Sequence, residues 1–241
     1  MREQIDNDAA GAIVFDADAC GQISADWFDP QAWRRRNALR TMGGGRGGVA
    51  VIDTPAGECV LRHYRRGGMI AGVLGDRYLW TGAERSRGFM EFRLLARLAA
   101  LGLPVSAPVA ARFVRHGLFY TAGLITRRVP DAQTLAQRIA AGTPDSALLH
   151  AVGVTIARFH RAGAWHADLN AHNILLNAEG VHLIDFDRGR IRALASGWRD
   201  ANLRRLRRSL LKVGAGAHGE AAFAATIWQP LLDGYAEGWR A

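Results

Sequence analysis

The sequence predicts an α+β chain of two lobes, a β-rich N-terminal lobe over residues 1–128 with one long helix and an α-rich C-terminal lobe over residues 129–241. Three observations carry this. Short β-like runs punctuated by Gly and Pro flank the glycine run 43–48 and continue to residue 64. Apolar residues Phe89, Phe92, Leu95 and Leu98 then recur at helical spacing between Glu84 and Leu101, and Gly102 with Pro104 supplies the stop. After Pro130 the pattern turns helical.

In order, residues 1–40 read as an acidic start and an amphipathic stretch ending in Arg34, Arg35 and Arg36. The run Gly43-Gly44-Gly45-Arg46-Gly47-Gly48 separates two β-like segments, the second being Val49 to Asp53. A turn at Thr54-Pro55-Ala56-Gly57 leads to a strand from Glu58 to Tyr64. Ala111 to Val114 and Leu118 to Ile125 flank His116-Gly117 and read as a hairpin. Helices are expected over Asp131–Ala140 and Pro144–Arg161, the second with Thr143 as N-cap and Pro144 at the first helical position. Two short strands, Asn173 to Leu176 and Val181 to Ile184, enclose the turn Asn177-Ala178-Glu179-Gly180, and helix follows from Trp198.

Composition sets bounds on function. An apolar content of 49% argues against disorder. Cys20 and Cys59 are too few for a disulfide framework, and residues 1–15 have neither the basic nor the apolar region of a secretory leader, so a cytoplasmic setting is expected. No uncharged apolar run approaches the roughly 18 residues that span a bilayer. The formal charge of +9 favours anionic partners. Of 31 basic residues, Lys212 is the only lysine. No nucleic-acid recognition motif accompanies the charge, so a nucleic-acid module is not supported.

The chemistry is concentrated in His166-Ala167-Asp168-Leu169-Asn170-Ala171-His172-Asn173, followed by a strand, a turn, a second strand and Asp185-Phe186-Asp187. A carboxylate, an amide five residues on and a second carboxylate beyond a hairpin form the set with which a protein-kinase-like site accepts a hydroxyl proton and binds magnesium. Phosphoryl transfer needs positioned charge more than covalent chemistry, and hard oxygen ligands suit Mg2+. The expectation is a bilobal protein-kinase-like fold using ATP, with Asp168 as base and Asn173 and Asp185 as metal ligands.

Upstream, the glycines Gly43, Gly44, Gly45 and Gly47 stand where backbone N–H groups would cover ATP phosphates, although the run is not a clean G-x-G-x-x-G. The third kinase strand normally carries a Lys paired to a helix Glu. Val60-Leu61-Arg62 occupies that place, so Arg62 is the expected phosphate cation, with Glu91 as its partner and Glu84 as second choice. Asp187 replaces the glycine of D-F-G and no A-P-E follows, leaving little chain for a peptide-binding segment. The acceptor is therefore expected to be a small-molecule, sugar or lipid-linked hydroxyl.

These residues resemble the lipopolysaccharide core kinases, and within them the members acting on 3-deoxy-D-manno-octulosonic acid (Kdo). The likeness rests on Leu61-Arg62-His63-Tyr64-Arg65-Arg66-Gly67-Gly68, on Trp80-Thr81-Gly82, Glu91-Phe92 and Gly102-Leu103-Pro104-Val105, and on Trp165 through Leu175. It spans most of the chain from about residue 40. It implies ATP-dependent phosphorylation of the Kdo 4-hydroxyl on a Kdo-bearing lipid A precursor, with the family's catalytic Asp at Asp168. It also implies a peripheral position on the cytoplasmic side of the inner membrane, against an anionic surface. Ala167 departs from the Arg common at that place. Arg65, Arg66, Arg127 and Arg128 are candidate acceptor contacts, and the mixed basic and aromatic stretch 64–87 a candidate glycolipid surface; Arg204, Arg205, Arg207 and Arg208 read as the wet side of a helix. His166 reads as structural. An aminoglycoside-type or small-metabolite kinase and a catalytically dead nucleotide-binding scaffold are the alternatives, the first disfavoured by the positive charge and the second by the intact Asp168, Asn173 and Asp185.

Overall fold

A computed structural model describes residues 1–41, 49–65, 76–142 and 144–241. The chain divides into two compact units, Met1–Ala96 with Ser106–Arg128, and Arg97–Val105 with Val129–Ala241.

The first unit is an antiparallel sheet of order β1-β2-β7-β8-β5-β4-β3, with β6 added beside β8. Its strands are β1 (Glu3–Asn7), β2 (Gly11–Asp16), β3 (Leu39–Thr41), β4 (Val49–Thr54), β5 (Gly57–His63), β6 (Tyr78–Leu79), β7 (Pro108–His116) and β8 (Phe119–Arg127). The N-terminal hairpin departs from the sequence reading, which saw only an acidic start there. β1 is exposed throughout and carries a single apolar residue, Ile5, so period-two alternation gives no signal. β2 instead holds a continuous apolar run, Ala12 to Phe15, and pairs with β7. Arg93 ties β1 down through Glu3, 2.7 Å away. Trp27, Phe28 and Trp33, from a 3-10 turn and the short helix α2 (Pro30–Arg35), pack with Phe15, Ile52, Leu61 and Ile125 into one buried cluster. The short helix α1 (Ala17–Cys20) precedes them.

Helix α3 (Arg87–Ala100) follows a separate 3-10 turn, Ala83–Arg85, so the single helix expected from Glu84 is broken at Ser86. Its apolar stripe Phe89, Phe92, Leu95 and Leu98 is buried. The glycines of the 43–48 run lie outside the described residues, as do residues 66–75.

In the second unit, Asp131 has a positive φ of 49°, so no helix starts there. Gln133–Thr134 forms β9 beside β11, and α4 (Leu135–Ala140) begins only after Thr134, whose side chain and that of Gln137 make a reciprocal capping box. Helix α5 (Ser146–Arg161) is likewise shorter than expected. Asp145, not Thr143, caps it, because its carboxylate accepts the Leu148 N–H at 2.7 Å; Thr143 itself lies outside the described residues. Then come β10 (Ala164–Trp165), β11 (Ile174–Asn177), β12 (Gly180–Leu183), β13 (Arg190–Ile191), α6 (Ser196–Lys212), α7 (Glu220–Phe223) and α8 (Gln229–Arg240).

The pairing of α5 with α8 is the unit's main helix contact, and glycine permits it. A Cβ on Gly153 would overlap the Leu231 carbonyl, and one on Gly234 the His150 carbonyl, so any larger residue there must push the helices apart. On the same interface the buried His160 shares a 2.9 Å hydrogen bond between Nδ1 and the Tyr235 hydroxyl and stacks edge-on to Trp198.

Burial pushes the His160 imidazole down to about 4, against an ordinary 6.5. The unfolded chain therefore takes up a proton first on acidification. His160 contributes full stability above about pH 6.5, and that contribution is lost progressively as pH falls towards 4. Burial depresses His63, His166 and His182 in the same direction. We expect chemical denaturation to show the protein at least ~2 kcal/mol less stable at pH 5 than at pH 7.5, with His160→Gln reducing that slope. A stability that is flat or rises on acidification would contradict the assignment.

Candidate active site

The site residues fall into two groups, one in each unit. In the second unit, β10 runs into a loop, residues 166–173, which ends where β11 begins. Asn170 shapes this loop: its Oδ1 accepts the N–H groups of His172, at 2.8 Å, and Asn173, at 3.2 Å, an Asx turn made by one short side chain. Its own amide nitrogen donates to the Asp168 carbonyl at 3.0 Å, and Asn173 Nδ2 donates to the same oxygen at 3.0 Å. With its nitrogen so committed, Asn173 offers Oδ1 as an oxygen ligand.

His166 joins this loop to the end of β12. Its Nε2 donates to the Ile184 carbonyl at 2.9 Å while Nδ1 accepts the Asp168 N–H at 3.0 Å, which fixes the neutral tautomer. Burial pushes the imidazole pKa down, so the ring stays neutral and structural. Ile184 N–H in turn donates to the Asn173 carbonyl at 3.1 Å. The loop and the segment carrying Asp185 are thus stitched together twice, bringing Asp168, Asn173 and Asp185 into one neighbourhood. Phe186 is buried against Phe159 and His166.

Asp185 has φ 61°, a left-handed conformation that an Asp tolerates better than most residues but not freely. Such backbone costs on the order of 1–3 kcal/mol and persists only where surrounding contacts enforce it. Here the enforcing contacts are the Ile184 hydrogen bonds on one side and the buried Phe186 on the other. Arg188 is left-handed as well, at φ 60°, and Asp187 lies 4.0 Å from its guanidinium.

Helix α6 holds the loop from the side. Asn202, buried, clamps the His166 backbone, its Oδ1 accepting the N–H at 3.3 Å and its Nδ2 donating to the carbonyl at 2.9 Å. Arg205 Nε donates to Asp168 Oδ1 at 2.6 Å, and Ser209 Oγ accepts the Ala171 N–H at 3.1 Å. Positions 202, 205 and 209 share one helix face. Arg205 is exposed, as expected of the wet side of this helix, and is in addition bonded to the carboxylate expected as base, a pairing the sequence reading does not contain. The signal available was the spacing of Asn202, Arg205 and Ser209, three polar residues among the leucines. Partial burial pushes the Asp168 carboxyl up, but the hydrogen bonds from Arg205 and Asn170 and the Arg205 charge outweigh it and hold the group below 3.8.

The first-unit group is Arg62 on β5 and Glu91 on α3. Arg62 Nη2 lies 2.7 Å from both Glu91 oxygens, and the Tyr64 hydroxyl donates to Glu91 Oε2 at 2.6 Å. Glu91 is 2% exposed and Arg62 25%. The close approach starts one turn earlier: a Cβ on Gly88 would sit 3.1 Å from the Gly123 carbonyl of β8, so glycine lets the helix start close to the sheet beside β5. Glu84, the second-choice partner, instead joins Arg93. The suggested acceptor arginines of this unit are engaged locally, Arg65 with Asp76, Arg127 with the Ala56 carbonyl and Arg128 with Glu58. Arg66 lies outside the described residues, with Gly43, Gly44, Gly45 and Gly47.

Comparison with known proteins follows the same lines. The model of the lipopolysaccharide kinase (Kdo/WaaP) family matches residues 30–235. A protein of Xanthomonas oryzae pv. oryzae (strain PXO99A) named 3-deoxy-D-manno-octulosonic acid kinase is 50% identical over 214 residues, covering 87% of this chain and 84% of its own. Proteins of the same name from Xanthomonas axonopodis pv. citri (strain 306) and Stenotrophomonas maltophilia (strain R551-3) are 52% and 50% identical, each with 84% of this chain and 81% of the relative covered. Among solved structures, WaaP in complex with acyl carrier protein superposes with a TM-score of 0.52 at 18% identity, over 83% of this chain and 78% of that one, and shows the same protein-kinase-like fold. With the family matched over most of its length and relatives at half identity, this chain belongs to the Kdo/WaaP family of lipopolysaccharide kinases.

Proposed function

We propose that the chain transfers the γ-phosphoryl group of ATP to the 4-hydroxyl of a Kdo residue on a lipid A precursor, a step of lipopolysaccharide core biosynthesis. The observation that carries this reading is the double stitching of the 166–173 loop to the Asp185 segment in a chain half identical to proteins named for Kdo phosphorylation. Asp168 serves as base, its carboxylate accepting the hydroxyl proton as the acceptor oxygen bonds to phosphorus and the bond to the leaving ADP oxygen breaks. Asn173, through Oδ1, and Asp185 supply two hard oxygen ligands, which suits Mg2+, an ion that takes one or two protein ligands and fills its shell from phosphates and water. The ion, when bound, neutralises phosphate charge. Arg62, oriented by Glu91 and Tyr64, supplies the guanidinium for the nucleotide phosphates where other kinases use lysine.

Lipopolysaccharide core synthesis by relatives of this family supports a reaction at the cytoplasmic face of the inner membrane. No helix among the described residues is long and apolar enough to cross a membrane. A formal charge of +9 supports peripheral attachment to an anionic surface, as does the acceptor's own lipid anchor. An aminoglycoside-type reading is opposed by the surroundings of Asp168, where Arg205, Arg208 and Lys212 would repel a cationic acceptor.

Two expectations follow. With labelled ATP, Mg2+ and a Kdo-bearing lipid A precursor, the wild type should transfer phosphate and Asp168→Asn should lose at least about 100-fold in rate while still binding nucleotide; transfer by the variant at the wild-type rate would remove Asp168 from the role of base. For the first unit, Arg62→Ala removes the cation from the buried Glu91 carboxylate and should cost on the order of 3 kcal/mol of stability. Glu91→Gln keeps the shape, so it should unfold near the wild-type temperature yet raise the KM for ATP about tenfold. An unchanged ATP KM in Glu91→Gln would assign the pair a purely structural task.

A further inference from the structure

Beside Asp168 the second unit holds a hollow of about 280 Å³, lined among others by Asn170, His172, Arg205, Arg208 and Lys212. That volume is near the low end for small-molecule sites, which run from roughly 300 to 1,000 Å³. A single sugar suits a hollow of this size.

The wall that α6 contributes is a stripe: Arg205, Arg208, Ser209 and Lys212 stand at i, i+3, i+4 and i+7 and so share one helix face. Arg204 apart, which is exposed and does not line the hollow, the cations of this helix divide into two kinds. Arg199 lies over the Trp239 ring and bonds the Ala195 carbonyl, Arg205 is paired with Asp168, and Arg207 is paired with Glu220. Arg208 and Lys212 have no carboxylate partner among the described residues, and both line the hollow. Two cations left without counter-charge beside a reactive carboxylate call for an anion from outside the chain. Lys212 is also the one lysine among 31 basic residues, so its compact ammonium can be addressed chemically on its own.

Resting on the reading of Asp168 as the base, we propose that this hollow is the acceptor subsite and that Arg208 and Lys212 hold the acceptor's sugar-acid carboxylate, with the hydroxyl to be phosphorylated turned to Asp168. Arg205 takes a second part in this arrangement. Because it is bonded to Asp168, an acceptor carboxylate arriving beside it competes for its guanidinium and frees the base as the substrate binds. Specificity for a sugar acid over a neutral sugar is then a property of one face of α6. A carboxylate of the sugar acid, a phosphate of the lipid moiety and a phosphate of the nucleotide share the same chemistry, and the test separates them.

The first arm needs no mutation. The wild-type protein carries two primary amines, the α-amino group and Lys212, so limited acylation followed by mass spectrometry reads each separately. Free Kdo should slow Lys212 acylation at least fivefold without protecting the α-amino group, and its methyl ester should not. Equal protection by ATP or inorganic phosphate would overturn the assignment to the sugar acid, as would protection by a Kdo-free lipid A precursor alone. The second arm is kinetic: Arg208→Gln and Lys212→Gln should each raise the KM for the Kdo acceptor at least tenfold with the KM for ATP unmoved, whereas Arg204→Gln, exposed on the same helix away from the hollow, should leave both alone. Phosphate transfer by the wild type with neither protection nor a KM change would sink the subsite and leave the kinase reading standing. Protection of Lys212 by Kdo without transfer to any acceptor would do the reverse.

Discussion

The second unit is organised around one neutral imidazole. His166 accepts from the Asp168 backbone on one nitrogen and donates to the Ile184 carbonyl on the other, and both bonds are needed for the loop and the Asp185 segment to keep their relative position. A protonated ring has no acceptor lone pair and would lose the Asp168 bond. Its burial therefore does structural work as well as energetic work: by disfavouring the charged form it keeps the one tautomer that can bridge the two segments. Asn202 adds a second clamp on the same backbone, so the residue is fixed by its ring and by both main-chain polar groups.

From that fixed point the remaining geometry follows. The chain must turn sharply after β12 to carry Asp185 back towards the loop, and it does so through a left-handed residue and a buried aromatic anchor. Placing Asp at the left-handed position trades local strain for a carboxylate in a defined direction, a trade sustained by the hydrogen bonds of Ile184 and the burial of Phe186. Asp187, where related motifs have glycine, tolerates its place because the second left-handed residue is Arg188, one position later.

Much of this was legible in the sequence wherever side-chain chemistry and spacing report directly on structure. The stripe of Phe89, Phe92, Leu95 and Leu98 is a helix face because four apolar residues at 3–4 spacing have few other uses. The loop from His166 to Asn173 stood out because turn-forming and oxygen-bearing residues coincide there. Arg62 and Glu91 meet because a strand and the helix after it bring them together. What escaped notice had no local signature. β1 is exposed on both faces and is held by partners about ninety residues away, such as Arg93. The start of α4 is displaced by β9, whose pairing with β11 is a tertiary fact that overrides helix propensity over residues 131–134. The pairing of the exposed Arg205 has no local signature because its partner lies 37 residues back in the chain.

The bias towards arginine bears on how this site differs from a lysine-based one. A guanidinium can meet both oxygens of a carboxylate at once and stay charged at any physiological pH, and Arg62 does so with Glu91 while Tyr64 takes a further bond to the same group. Its bulk is accommodated by cation–π contact with the Tyr64 ring, 4.9 Å from the guanidinium carbon. The replacement is therefore not a single substitution but a set, in which the tyrosine two residues along the strand supplies both a hydrogen bond and a flat surface. Lysine in the same frame would keep the charge and lose the plane, so the set constrains position 62 to arginine more tightly than charge alone would.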